Sequence, residues 1–215
     1  MLREVTYNEI FTILIMVGLI SITIAKAKFT HRFNDLAAIL TTSKYFNIYS
    51  RDQKLIDFFD ILLLTNFIIS TAIFTSICYS TFFSNSQIET HLMLTITVCI
   101  GAFLFLKLLI ERVIANIFNI DEIIEHYIFQ KKTYKNYFGM FFIPINAFLI
   151  YSVTPSKTIL YVVFSIFLII LVLRLSTSLK RYQKLIKSNL FYFILYLCTL
   201  EIAPYIILYK LITSY

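Results

Sequence analysis

Residues Leu55–Phe83 read LIDFFDILLLTNFIISTAIFTSICYSTFF, an apolar run whose only charges, Asp57 and Asp60, stand at its start. Crossing a hydrocarbon core of about 30 Å takes roughly 20 apolar residues in an α-helix. This run exceeds that length, so it tilts or begins outside the hydrocarbon. Working outward, five further runs fit a span: approximately Tyr7–Ala25 before it, then Leu92–Ile110, Tyr137–Val153, Thr158–Leu175 and Leu190–Ile212. The expected fold is all-α, one polytopic membrane bundle of six transmembrane helices over residues 1–215.

The composition agrees. The chain is 59% hydrophobic and 14% charged, with a mean hydropathy of +0.81, where a soluble domain carries about 25% charged residues. Only 3 Gly and 3 Pro leave no room for a flexible linker, and no internal repeat of fixed period is visible. The Phe and Tyr surplus is explained by an AT-rich genome as readily as by an aromatic binding surface.

Lys and Arg set the orientation, because loops on the cytoplasmic side retain them. Fifteen of the 19 fall in the loops after the first, third and fifth spans. The other side holds only Arg3, Lys157 and Lys210, so both termini are expected to be periplasmic. The net charge of +7 is thus a signature of membrane orientation rather than of nucleic-acid binding. A cleaved signal peptide at Ala25-Lys26-Ala27 is the competing reading. It is opposed by Glu4 and Glu9, which offset Arg3, and by the basic loop that cleavage would strand outside.

Two loops have helical apolar spacing. Arg112–Lys132 places Ile117, Ile120, Ile124 and Ile128 opposite Asp121, Glu122 and Glu125, which predicts an amphipathic helix on the cytoplasmic surface. Asn119 and Glu122 resemble a capping box, so the spanning helix is expected to end near Phe118 and a second to begin at Ile120. Lys28–Lys54 is similar, with Leu36, Ala37, Ile39 and Leu40 as its apolar patch. The fourth and fifth spans, joined at Thr154-Pro155-Ser156-Lys157, are expected to be an antiparallel hairpin.

Charges inside spans ask for a functional reading, since a central Asp, Lys or Arg costs about 2.5–3.5 kcal/mol on insertion scales. Asp57 and Asp60 open the second span, Lys107, Glu111 and Arg112 close the third, and Arg174 closes the fifth. Alternating directions put these at one depth, where Asp60 is expected to pair with Lys107 or Arg112. A structural ion-pair network and a charged entrance to a substrate path are both open. Glu201 stands alone at mid-span, three residues before Pro204, which frees the carbonyl of Leu200. Three roles are open to it: a helix clasp or ion partner of Lys107, a proton- or substrate-coupled site, or a contact with another subunit.

The sequence contains no H-E-x-x-H, no G-x-S-x-G and no phosphate-cradling Gly loop. His31, His91 and His126 fall in different loops, and Cys78, Cys99 and Cys198 lie singly in apolar runs as expected buried hydrophobes. Neither a metal site nor a cofactor is expected.

The stretches FYFILYLCTLEIAPYIILYKLI (191–212), FFDILLLTNFI (58–68) and FLFLKLLIERVIANIF (103–118) resemble an uncharacterised family of polytopic inner-membrane proteins from Bacteroidetes, described only as a domain of unknown function. The resemblance covers most of the chain after about Lys26, with LYLCTLEIAP its most specific part. It implies that Leu195–Pro204, Lys107, Asp60 and Asn66 are characteristic positions, and it implies no activity, cofactor or substrate. The expected function is a non-catalytic inner-membrane subunit or assembly factor of a larger bacterial envelope complex, with the lipid bilayer and other membrane subunits as partners. The alternative is a small transporter or lipid-handling protein using Glu201 and Lys107. An intramembrane enzyme acting through Glu201 and Asp60 ranks third.

Overall fold

The computed structural model describes residues 9–39, 44–49, 57–82, 90–117, 121–152, 156–181 and 210, and every regular element among them is an α-helix. In chain order these are α1 (Glu9–Lys28), α2 (Thr30–Ala37), α3 (Lys44–Tyr49), α4 (Phe58–Phe82), α5 (Thr90–Ile117), α6 (Asp121–Tyr151) and α7 (Lys157–Arg181). α1, α4 and residues His91–Val113 of α5 are long and apolar enough to cross a bilayer. Large apolar side chains point outward along α1 (Ile13, Met16, Ile20) and α5 (Val98, Phe105, Leu106). That exposure suits hydrocarbon rather than water, and marks a membrane protein.

α4 is the centre of the bundle. Apolar on all sides, it buries Phe59, Leu63, Asn66, Ser70, Ile73 and Ile77 on one side and Ile69, Ala72 and Ser76 on the next, packing against α1, α5 and α6. A helix without a polar face has no side to give to water. Its threonines remain compatible with that setting because each hydroxyl donates back to its own helix: Thr65 to Ile61, Thr71 to Phe67 and Thr75 to Thr71.

Two hydrogen-bonded pairs join α4 to α6, Asp60 with Asn136 and Ser70 with Asn146, both separated by 76 residues in sequence. A constant difference, rather than a constant sum, means that the two helices run in the same direction. α5 is the return between them, as alternating spans require. Backbones approach closely at Gly139, where an added Cβ would lie 2.8 Å from the Cα of Phe67. α6 and α7 are antiparallel, with Phe142 against Phe167 at 5.2 Å between centroids and Leu149 sharing a cluster with Leu160. The expected hairpin is therefore present.

The expected surface helix Arg112–Lys132 is not a separate element. Arg112–Ile117 completes α5, and Asp121–Lys132 is the first part of α6, a single helix of 31 residues. At 1.5 Å per residue it is about 46 Å long. Asn119, the head of the capping signal, lies outside the described residues, and the stretch of α6 after Ile128 packs on protein. Phe129 stacks on Tyr45 at 5.8 Å and Tyr134 packs on Phe46 at 5.6 Å, both partners belonging to α3. Pro144 lies inside α6 on an exposed side, where its missing N–H takes no donor from the packed face.

α2 and α3 occupy the loop after α1 and bury Phe33, Leu36, Ile39, Tyr45 and Phe46 against Phe59, Leu63, Phe129 and Phe138. This forms one apolar cluster at the end of the bundle that carries Asp57 and Asp60. A second, at the other end, gathers Ile15, Ile69, Ile73, Ile77, Met93, Ile143, Leu149 and Leu160. Asn66 falls between Leu63 of the first cluster and Ile69 of the second. The expected sixth span Leu190–Ile212, with Glu201 and Pro204, lies outside the described residues except for Lys210, which is helical and exposed.

Candidate functional site

Asp57 precedes α4, and its carbonyl accepts the first helical hydrogen bond from Ile61 N–H. Asp60 follows in the first turn, where the helix dipole favours negative charge. The chain leaves α1 at Lys28 and turns directly into α2, which brings Arg32 over this helix start. Its Nη1 donates to Asp57 Oδ2 at 2.8 Å, its Nη2 to Asp60 Oδ2 at 3.3 Å and its Nε to the Tyr45 hydroxyl at 3.3 Å. The guanidinium also lies over the Phe59 ring at 4.8 Å and near that of Tyr49 at 5.4 Å. Planar stacking together with forked donation is a geometry for arginine, not lysine.

Asp60 is the hub of the cluster. Its side chain is 6% exposed, and α6 supplies two further donors: Lys132 Nζ reaches Oδ2 at 2.7 Å and Asn136 Nδ2 reaches Oδ1 at 3.3 Å. Burial alone would pull the Arg32 guanidinium down, but Tyr45, Asp57 and Asp60 together outweigh it and hold the group above its ordinary value. Burial pushes the Tyr45 phenol up to about 12, against the opposing influence of Arg32.

That phenol gives a signed pH dependence. Because the folded value lies above the ordinary one of 10.0, the stabilisation is complete below pH 10 and is lost as pH rises through about 12. An alkaline absorbance titration of the protein minus that of Tyr45→Phe is expected to isolate a phenol ionising near 12. A difference curve centred on 10 would mean that Tyr45 is solvated.

A separate ion pair joins α5 to α6. Lys131 Nζ donates to Glu111, both groups being buried. Lys107 stands one turn before Glu111 on α5, itself 5% exposed. These residues share a small pocket with Lys132 and Lys135, walled by Leu64, Leu104, Phe105, Leu108 and Ile128. Deeper in the bundle, Asn146 Nδ2 donates to the Ser70 carbonyl at 2.8 Å and to its hydroxyl at 3.2 Å. Asn66 is fully buried, and neither of its carboxamide atoms has a hydrogen-bond partner. Gly18 on α1 leaves room for it, since a Cβ there would lie 3.1 Å from Asn66 Oδ1.

Of the sequence candidates, Asp57 and Asp60 come together around Arg32, and Lys107 and Glu111 share the neighbouring pocket. Arg112 is exposed, Arg174 falls in α7, and Glu201 and Pro204 lie outside the described residues. The expected pairing of Asp60 with Lys107 or Arg112 is corrected: its cations are Arg32 and Lys132. Cys78 is half-buried and Cys99 exposed, so neither is a fully buried hydrophobe. Among the described residues no three His, Cys, Asp or Glu side chains converge to hold a metal ion.

Sequence reasoning counted Arg32, Lys131, Lys132 and Lys135 only as loop cations and passed over Asn136 and Asn146. One signal was available: the asparagines repeat on α6 the interval between Asp60 and Ser70 on α4. A family model described as a domain of unknown function (DUF4271) matches residues 11–212. No curated protein and no solved structure matches the chain.

Proposed function

The chain belongs to this DUF4271 family, and we propose that its member here is a non-catalytic subunit or assembly factor of a larger envelope complex. In this reading it is a six-span protein of the bacterial inner membrane with both termini periplasmic, consistent with the Bacteroidetes resemblance of its motifs. The observation that carries the proposal is the engagement of Asp60. A carboxylate serving catalysis or proton coupling needs access, whereas this one is buried and held by Arg32, Lys132 and Asn136. Its charge fastens α2 and α6 to α4 and so builds a fixed platform of α2, α3 and the start of α6 at the charged end. Ile48, 46% exposed on α3, is an apolar position that this platform offers to a partner.

Purification of the full chain in mild detergent, followed by mass spectrometry, tests this. A stoichiometric membrane-protein companion is expected, and Ile48→Glu should release it while the protein stays folded. A monomer or homo-oligomer without a companion would sink the subunit reading. Asn66 favours the second reading, a small transporter, because an unpartnered carboxamide in the bundle interior suits a polar species passing through. Solute flux into proteoliposomes that Asn66→Leu abolishes would select it.

A further inference from the structure

The end of α1 and the start of α4 meet at a corner where two lysines keep a charge that no carboxylate takes up. Lys28, the last residue of α1, holds its Nζ 5.0 Å from the ring centre of Phe58, the first residue of α4. A ring face attracts an ammonium but carries no net charge, so the contact positions Lys28 without neutralising it. The nearby acids are engaged elsewhere, Asp57 by Arg32 and Asp60 by Arg32 and Lys132. Lys26 and Lys28 are both exposed, and among the described residues neither is ion-paired. The same corner opens onto the outer surface of the bundle. Phe58 is 50% exposed, the outward-facing Ile61 follows it one turn into α4, and the outward-facing Ile24 and Ile20 precede Lys28 by one and two turns of α1. The two helices are antiparallel, since Lys28 adjoins Phe58 while Gly18, earlier on α1, approaches Asn66, later on α4. Both are long and apolar enough to cross a bilayer. Ammonium and ring therefore stand at one end of two candidate spans, and apolar side chains run inward from them, Ile20 lying about 12 Å along α1 from Lys28.

We propose that this corner seats an anionic phospholipid, its phosphate on Lys28 and an acyl chain along Ile24, Ile20 and Ile61. Phosphate oxygens accept charge-assisted hydrogen bonds from an ammonium group. Lys26, in the same last turn of α1, adds to the positive potential at that depth, which draws anionic headgroups. A soluble anion or an acidic protein segment would answer the charge equally but would leave the inward-running apolar side chains without a role. A zwitterionic lipid would bring its own cation to a corner that already has two. The inference rests on the chain being a membrane protein and is independent of the subunit reading, since a lone bundle would bind the lipid as well.

The test uses the full chain, delipidated in a neutral detergent, with phosphatidylglycerol and phosphatidylcholine as probes and native mass spectrometry as readout. Phosphatidylglycerol should bind tighter than phosphatidylcholine by about tenfold. Lys28→Gln should remove most of that preference and Lys28→Arg should retain it. The control is Lys157→Gln, which removes the same charge at a lysine that also lies over a ring, Phe82 at 5.9 Å, and it should leave the preference intact. Equal binding of the two lipids, an unchanged preference in Lys28→Gln, or an equal loss in Lys157→Gln overturns the site. Displacement of phosphatidylglycerol by equimolar inorganic phosphate or by a glutamate-rich peptide assigns the lysines to a soluble anion or an acidic partner and overturns the lipid. Should Lys28→Gln fail to fold, the unaltered chain still decides: phosphatidylglycerol with a photoreactive acyl chain should label the second half of α1 and the first half of α4, and labelling confined to other helices overturns the proposal.

Discussion

Asp60→Ala is expected to destabilise the protein by about 3–5 kcal/mol, the cost typical of removing one partner from a buried ion pair. The side chains of Arg32 and Lys132 are only 15% and 13% exposed, so both keep their charge in poor solvent when the shared carboxylate is gone. Asn136 loses its acceptor in the same step. Arg32→Ala should be milder, because Asp60 then retains Lys132 and Asn136. Asp57→Ala should be milder still, since its side chain is 28% exposed and water replaces what it loses. Reversible unfolding in mixed micelles, with helicity as readout, gives the order Asp60, then Arg32, then Asp57. The reverse order would show that the cluster does not centre on Asp60.

Gly139→Ala and Gly18→Ala are expected to differ sharply, although both glycines sit at helix contacts. At Gly139 the new Cβ would lie 2.8 Å from the Phe67 Cα and 3.1 Å from its backbone nitrogen. Backbone inside a packed helix cannot turn aside, so α4 and α6 must separate and loosen both of their hydrogen-bonded pairs. A loss at the upper end of the usual overpacking range of about 1–3 kcal/mol is expected. At Gly18 the worst contact is Ile143 Cδ1, the tip of a flexible side chain, and the next is Asn66 Oδ1 at 3.1 Å. Rotation of Ile143 relieves the first, so the same unfolding measurement should return a smaller loss. Equal losses would mean that the α4–α6 approach is looser than the structure places it.

The legible part of the fold was the part written in length and hydropathy. α1, α4 and α5 follow runs that leave a helix no soluble alternative. The continuity of Asp121–Lys132 with the following span in one helix was not legible, because amphipathic spacing reports only that one face avoids water. It does not report that Phe129, next along the chain, stacks on Tyr45 of α3. For the candidate site, position in sequence identified Asp57, Asp60, Lys107 and Glu111 as charges needing partners. It did not supply the partners, because Arg32 and Lys132 reach their carboxylate through chain turns that no local pattern encodes. Asn66 was visible only through the family resemblance, and its importance emerges once Gly18 and Ile143 are seen around it.

The partners of Asp60 also become available at different times. Arg32 precedes it along the chain, while Lys132 and Asn136 are synthesised only after α5 is complete, an interval of roughly 4–15 s at common translation rates. Through that interval the acid at the head of α4 has Arg32 as its one cationic partner from this cluster that is already made. The arginine is therefore the provisional guardian of a carboxylate whose permanent holders arrive with α6. Because α6 must run parallel to α4 to reach it, the final bond to Asp60 marks the moment at which the third of these helices has taken its correct direction.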